Sequence, residues 1–78
     1  MKYIKFIIES NSNRKLDAFT KVIIKAIISS GAGKAGPIPY KGKRIIYCYN
    51  PTSKTINRLM SIKVIKGLDI TIEPLVKS

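Results

Sequence analysis

The sequence contains no histidine and only four acidic residues, which are Glu9, Asp17, Asp69 and Glu73. Histidine is the side chain that most often serves as a general acid or base near neutral pH, so its absence removes the commonest catalytic group. Glu9 and Glu73 could approach each other at strand ends, but two isolated carboxylates on a basic surface are far more often solvated charges than an acid–base pair. We therefore expect no catalytic residue and no enzymatic activity.

Cysteine is almost absent as well, since Cys48 is the only one and an intrachain disulfide is excluded. Cys48 alternates with Tyr47 and Tyr49 in a strand-like run, which predicts a side chain that points into the core. The sequence has no cluster of metal ligands, and GAGKAG at residues 31–36 lacks the Gly-Lys-Ser/Thr ending of a phosphate-binding loop. We expect no metal, no cofactor and no small-molecule substrate.

Long apolar runs are also missing, and none approaches the roughly 20 residues that a membrane-spanning helix needs. The segment MKYIKFIIES at residues 1–10 alternates lysine with apolar residues and has no signal-peptide core of about 7–15 apolar residues. We expect no membrane partner, and a protein that works in the compartment where it is made.

Positive charge is what the chain has in excess. Fifteen lysines and arginines face four acids in 78 residues, for a formal net charge of +11. Such a field attracts polyanions, and nucleic acid is the commonest polyanion for a small basic domain. An anionic membrane surface is a weaker alternative, because no basic amphipathic helix carries a bulky aromatic face. A basic surface kept for solubility is the remaining alternative.

The apolar pattern predicts one domain, residues 1–78, with six elements. Strands are expected at residues 2–9, 35–40, 43–49 and 68–74, helices at 15–29 and 53–61, and a loose tail at 75–78. The order βαββαβ indicates an α+β domain of the ferredoxin-like split βαβ type, in which right-handed crossovers place two helices on one face of a four-stranded antiparallel sheet. The other face is then free to meet a partner.

Basic and hydroxyl side chains gather at two places in this pattern. One group lies at the hairpin between the second and third strands, and the other at the start of the second helix, where free amide groups favour phosphate. These groups would hold backbone phosphates and read little sequence. The predicted RNA-binding residues are Lys34, Lys41, Lys43, Arg44, Thr52, Ser53, Lys54, Thr55 and Arg58.

Tyr3 on the first strand, with Tyr47 and Tyr49 on the third, suggests base stacking of the kind made by RNA-recognition motifs. The run KGKRIIYCYN at residues 41–50 has the Lys-Gly start of that motif, but its later glycine and aromatic positions do not match. The tyrosines are therefore expected to pack against a protein or an RNA backbone, or to cover the sheet.

Four segments carry a family resemblance: KLDAF at residues 15–19, SGAGKAGPIP at 30–39, RIIYCYNPTSKTINRLM at 44–60 and GLDITIE at 67–73. In the same order they resemble the first helix, second strand, third strand with second helix, and closing strand of the ribosomal small-subunit protein ten family. The resemblance covers nearly the whole chain and implies a ferredoxin-like fold.

The resemblance also implies a function. It predicts a structural constituent of the head of the small ribosomal subunit, with small-subunit rRNA and neighbouring head proteins as partners. Protein contacts are expected at Pro37, Ile38, Pro39 and Tyr40, on an edge strand. Because the bacterial family also serves in transcription antitermination, a protein-interaction adaptor that uses the broad apolar face of the first helix is the alternative.

The chain departs from this family in one place. The family has a long hairpin between the second and third strands, whereas only four residues separate Pro39 from Arg44 here. We expect the deep rRNA contacts of that hairpin to be missing. Abundant isoleucine and asparagine, and twelve lysines to three arginines, are typical of AT-rich genes. The expected location is the ribosome of an organelle, the mitochondrion, with the protein encoded by the organelle genome. The alternative is the cytoplasm of an AT-rich prokaryote.

Overall fold

The computed structural model describes residues 2–76, and the side chains of residues 2–74. Its elements are β1 (Lys2–Glu9), α1 (Asn13–Ser29), β2 (Gly33–Tyr40), β3 (Lys43–Tyr49), α2 (Ser53–Met60) and β4 (Asp69–Val76). The strands form one antiparallel sheet in the order β2-β3-β1-β4. The predicted α+β, ferredoxin-like split βαβ fold is confirmed.

The ends of α1 follow from its capping residues. Ser12 is the N-cap, and its hydroxyl accepts a hydrogen bond from the Lys15 amide at 3.4 Å, so the helix begins at Asn13, two residues before the predicted start. The helix ends at Ser29 because Gly31 adopts a φ of 87°, which an L-residue rarely takes.

Two strand boundaries differ from the prediction. β2 begins at Gly33 rather than at residue 35, and β4 runs from Asp69 to Val76 rather than from 68 to 74. The predicted loose tail is therefore wrong for residues 75–76, which pair with β1. The last two residues of that tail, 77–78, lie outside the described residues.

The core lies between α1 and the sheet. It consists of Phe6, Ile8, Leu16, Phe19, Ile23, Ile27, Ile46, Cys48 and Leu68. The apolar residues that α1 adds to this core follow the spacing of one face of an amphipathic helix. Thr20, a polar residue, is buried as well. The Thr20 hydroxyl donates a hydrogen bond to the Leu16 carbonyl at 2.6 Å, so this polar group is satisfied inside the core.

Strand alternation divides β3 between two surfaces. Ile46 and Cys48 face the helices and are buried, whereas Lys43, Ile45, Tyr47 and Tyr49 point the other way and stay partly exposed. We call the sheet surface away from the helices the open face. The register adds Tyr3, Lys5 and Ile7 from β1 to it.

Helix α2 covers its half of the sheet less completely than α1 does. Ile72 faces the helices, opposite Phe6 of β1, but 57% of its surface remains exposed. Ile72 lines an apolar groove of about 340 Å³, together with residues such as Ile4, Met60 and Val64. Neither helix is long and apolar enough to cross a bilayer.

The β2–β3 hairpin closes with a two-residue turn. Lys41 and Gly42 both have positive φ, 33° and 78°, as the type I′ turn requires. The two strands are therefore joined with no extension beyond the turn. β2 is an edge strand, as its two prolines predict. Its ladder with β3 is interrupted between Ala35 and Ile38.

Candidate nucleic-acid interface

The predicted RNA-binding residues fall into two groups at opposite ends of β3. The hairpin group contains Lys41, Lys43 and Arg44, and the α2 group contains Lys34, Thr52, Ser53, Lys54, Thr55 and Arg58. Six residue steps of β3, at about 3.3 Å each, separate the two groups by about 20 Å. The structure thus gives two candidate phosphate sites rather than one continuous patch.

The hairpin group is split between the two faces of the sheet. Lys41 is exposed in the turn and Lys43 lies on the open face, whereas Arg44 lies on the helix face. Arg44 Nη2 is 3.2 Å from Asp17 Oδ1, and its Nη1 donates a hydrogen bond to the Lys43 carbonyl at 3.0 Å. The Arg44 side chain is only 17% exposed. Because Arg44 already has an anionic partner, Lys41 and Lys43 are the freer cations of this group.

The α2 group surrounds the first turn of that helix. Thr52 is the N-cap, and Ser53 and Lys54 are exposed directly after it. Lys34 is exposed on β2, and its Nζ donates to the Gly36 carbonyl at 3.0 Å. Arg58, one turn along α2, donates through Nη1 to Ser29 Oγ at 2.8 Å. Arg58 therefore ties α2 to the end of α1 while its side chain remains at the surface.

Thr55 requires a correction. Its side chain is fully buried, so it cannot contact RNA as the sequence predicted. Thr55 Oγ1 accepts a hydrogen bond from the Thr52 amide at 3.1 Å and lies 2.6 Å from Ser30 Oγ. Since the Ser30 hydroxyl donates to the Ile27 carbonyl, the Thr55 hydroxyl must be the donor to Ser30. Thr55 is thus a structural link between the two helices.

The acidic side chains of the open face are Glu9 on β1 and Asp69 and Glu73 on β4. Glu9 is directly opposite Asp69 on one side and Lys43 on the other, and Glu73 is opposite Lys5. Glu9 and Glu73 do not meet, because the partner of Glu73 on β1 lies four positions before Glu9. Arg44 with Asp17 is the single ion pair among residues 2–74. The positive field is therefore least opposed along β3 and β2.

The predicted protein-contact residues Pro37, Ile38, Pro39 and Tyr40 are all exposed on the edge strand. Ile38 and Tyr40 pair with Ile45 and Lys43, which places them on the open face. Pro39 pairs with a residue of the helix face. The four residues therefore share an edge but do not form one flat surface.

No group of three or more metal-binding side chains occurs within residues 2–74. Cys48 is buried, and its burial raises the pKa of the thiol. The thiolate, which is the reactive form, is therefore disfavoured in the folded protein.

Three tyrosines form a cluster on the open face that the sequence pattern did not predict. The ring centroids of Tyr3, Tyr47 and Tyr49 lie 5.9–6.4 Å from one another. Lys5 Nζ is 6.0 Å from the centroid of the Tyr47 ring. The signal was present as alternation on two strands, but the pairing register was needed to show that these residues meet.

The chain matches no protein-family model.

Proposed function

We propose that this protein is a non-enzymatic RNA-binding constituent of the head of the small ribosomal subunit, where it contacts rRNA and neighbouring proteins. The observation that carries the proposal is a domain of net charge +11 with cationic groups at both ends of β3 and only four acids, two of which lie on β4. The ferredoxin-like fold agrees with the resemblance to the ribosomal small-subunit protein ten family. The GPIP and PTSKT segments add the sequence support.

RNA would be held at two points about 20 Å apart, the length of β3. Lys41 and Lys43 supply cations at the hairpin, while Lys54 and the hydroxyl of Ser53 lie at the exposed start of α2. Contacts of this kind fix position on the RNA backbone and carry little sequence information. They suit a structural protein whose place is set by the shape of a folded RNA.

The short hairpin limits how deeply such a protein enters the particle. With only Lys41 and Gly42 in the turn, the β2–β3 hairpin adds no extension beyond the sheet. The proposal therefore places the domain on the surface of the head, held through its globular part. The exposed edge residues Ile38 and Tyr40 are the proposed protein contacts.

Sedimentation of the tagged protein from its native cells tests the proposal. We expect it in small-subunit fractions, and mitochondrial fractionation separates an organellar ribosome from the prokaryotic alternative. A Lys41→Ala/Lys54→Ala variant should leave those fractions at moderate salt, while a Lys21→Ala/Lys25→Ala variant of equal charge, altered on α1, should stay. Absence of the unmodified protein from small-subunit fractions would contradict the proposal.

A second candidate function, a protein-interaction adaptor in transcription antitermination, is favoured by the outer face of α1. Val22 and Ile28 are 46% and 56% exposed there, next to Lys21 and Lys25. Apolar side chains flanked by cations fit an amphipathic helix with acidic edges. An Ile28→Asp variant should lose such a helical partner and keep its RNA binding. If Ile28→Asp recovers the same proteins as the unmodified chain, the adaptor function fails.

A further inference from the structure

The tyrosine cluster of the open face, defined as Tyr3, Tyr47 and Tyr49, lies at the end of β3 that leads into α2. Tyr3 is directly opposite Tyr49, with 5.9 Å between ring centroids. The rings of Tyr47 and Tyr49 are nearly parallel, with an interplanar angle of 13° and centroids 6.4 Å apart. A planar ligand that stacks on one of these two rings is therefore parallel to the other.

The three tyrosines are half-buried, and the edge strand covers their rings only in part. The residue opposite Tyr49 on β2 is Gly33, and the residue opposite Tyr47 is Ala35. Cross-strand neighbours normally supply the side chains that cover an aromatic ring on a sheet. A hydrogen atom and a methyl group cannot do so. The ring surface on the β2 side is thus open to an external group.

Lys5 is the open-face cation that lies next to the cluster, with its Nζ 6.0 Å from the centre of the Tyr47 ring. Lys34, opposite Cys48, and Lys54, on α2, lie on the helix side of the sheet. Lys43 lies farther along the open face of β3, opposite Glu9 of β1. Glu73 opposes anions on the β4 side. An anionic chain would therefore run over β3 and β2, past the tyrosines.

We propose that the open face binds single-stranded RNA and stacks unpaired bases on Tyr47 and Tyr49, with Tyr3 as a supporting ring. Aromatic faces next to cations are what a flexible single strand recognises, since every base has a stacking face and every nucleotide a phosphate. The proposal deepens the RNA-binding function given above and rests on it. It adds a ligand class, unpaired bases, and a surface that the basic residues alone do not define.

The test compares two probes that differ only in their bases. Labelled oligouridine of about ten nucleotides and an abasic oligomer of the same length are titrated with the protein, and binding is followed by fluorescence anisotropy. We expect oligouridine to bind more tightly than the abasic probe. Tyr47→Leu should weaken oligouridine binding about 5- to 100-fold, from the usual contribution of one stacked base. Tyr47→Phe should bind nearly as well as the unmodified protein.

Control variants separate stacking from phosphate contact. Tyr40→Leu removes an exposed tyrosine outside the cluster and should leave the affinity unchanged. Tyr47→Leu should keep the salt dependence of binding, because no phosphate contact is lost, whereas Lys5→Ala, which removes the cation next to the Tyr47 ring, should lower the slope by about one. Circular dichroism and urea midpoints establish that each variant is folded. If Tyr47→Leu does not fold, the difference in affinity of the unmodified protein for oligouridine and for the abasic probe still tests whether bases are stacked.

Equal affinity for the oligouridine and abasic probes would overturn the stacking inference and leave the RNA-binding function standing. Binding of neither probe, together with absence from small-subunit fractions, would overturn both. If Tyr47→Leu binds oligouridine normally but loses a protein contact or self-association, the open face is a protein interface and the inference is wrong. Upfield shifts of the Tyr47 and Tyr49 ring protons on adding oligouridine would support it directly.

Discussion

Replacing Thr55 by valine tests the hydrogen-bonded link between the two helices. Thr55 Oγ1 accepts from the Thr52 amide at 3.1 Å and donates to Ser30 Oγ at 2.6 Å. Valine has a similar volume, so the change removes the hydroxyl without opening a large cavity. The side chain has no exposed surface, and water therefore cannot replace the lost bonds at that position.

The expected destabilisation follows from these contacts. Two hydrogen bonds at about 0.5–1.5 kcal/mol each give about 2 kcal/mol. One of them belongs to the capping box of α2, and loss of a cap alone costs about 1 kcal/mol. For a domain of this size, 2 kcal/mol lowers Tm by about 8–16 °C. This is a large share of a total stability of about 5–15 kcal/mol.

Urea unfolding followed by circular dichroism measures the effect. Ser53→Ala is the matched control, because Ser53 is the exposed neighbour in the same turn and should change stability by less than about 0.5 kcal/mol. A double-mutant cycle of Thr55→Val with Ser30→Ala should give a coupling energy of about 0.5–1.5 kcal/mol. Folded Thr55→Val should bind RNA as the unmodified protein does.

Two results would refute this reasoning. A Thr55→Val protein within about 0.5 kcal/mol of the unmodified chain would mean that the hydroxyl contributes no net stability. A coupling energy of zero with Ser30→Ala would mean that the two helices are not joined through these side chains. Reduced RNA affinity in a stably folded Thr55→Val protein would mean that Thr55 contributes to RNA binding after all.

Three further predictions concern single residues. Lys54→Ala should lower the salt slope of RNA binding by about one, whereas Arg44→Ala should change it less and cost at most about 1 kcal/mol of stability, because Arg44 is paired with an acid. Gly36→Ala should destabilise the fold by more than about 2 kcal/mol in urea titrations, because the new Cβ would lie 2.6 Å from the Ile45 carbonyl oxygen and the residue has a φ of +96°. Gly31→Ala is the control, since no atom lies near its new Cβ, and it should cost about 1 kcal/mol for its positive φ alone. Cys48 in the folded protein should react slowly with an alkylating reagent, and the rate should rise when urea unfolds the chain. Because burial raises the pKa of the folded thiol, the stability that the buried neutral thiol contributes should be kept below about pH 8.5 and lost as the pH rises above it.

The fold was predictable because its signals are local. Alternation marks β1 and β3, Thr52 marks the start of α2, and Gly31 marks the end of α1. The boundaries of β2 and β4 were less predictable. Gly33 has low strand propensity, and residues 75–76 join the sheet only because β1 offers a partner along its whole length.

The candidate site was predicted less well, since it depends on pairing and packing. Lys43 and Arg44 are adjacent in sequence, yet strand alternation places them on opposite faces, and only the fold brings Asp17 to Arg44. From sequence alone, a threonine at the third position of a helix can be either an exposed hydroxyl or a partner in the capping box. The burial of Thr55 against α1 decides between them.

The β2–β3 hairpin leaves the two faces of the sheet, rather than its β2 edge, as the surfaces that ligands can reach. Pro37 and Pro39 lack amide hydrogens, so the outer edge of β2 is a poor template for an added strand, and ligands are left with the faces of the sheet. Tyr40 pairs with Lys43 as the last step of the ladder before the turn. Residues inserted between them lengthen the hairpin without changing the face on which Tyr47 lies, since that is set by its pairing with β1. A longer β2–β3 hairpin would therefore extend the domain at that end and leave the open face unchanged.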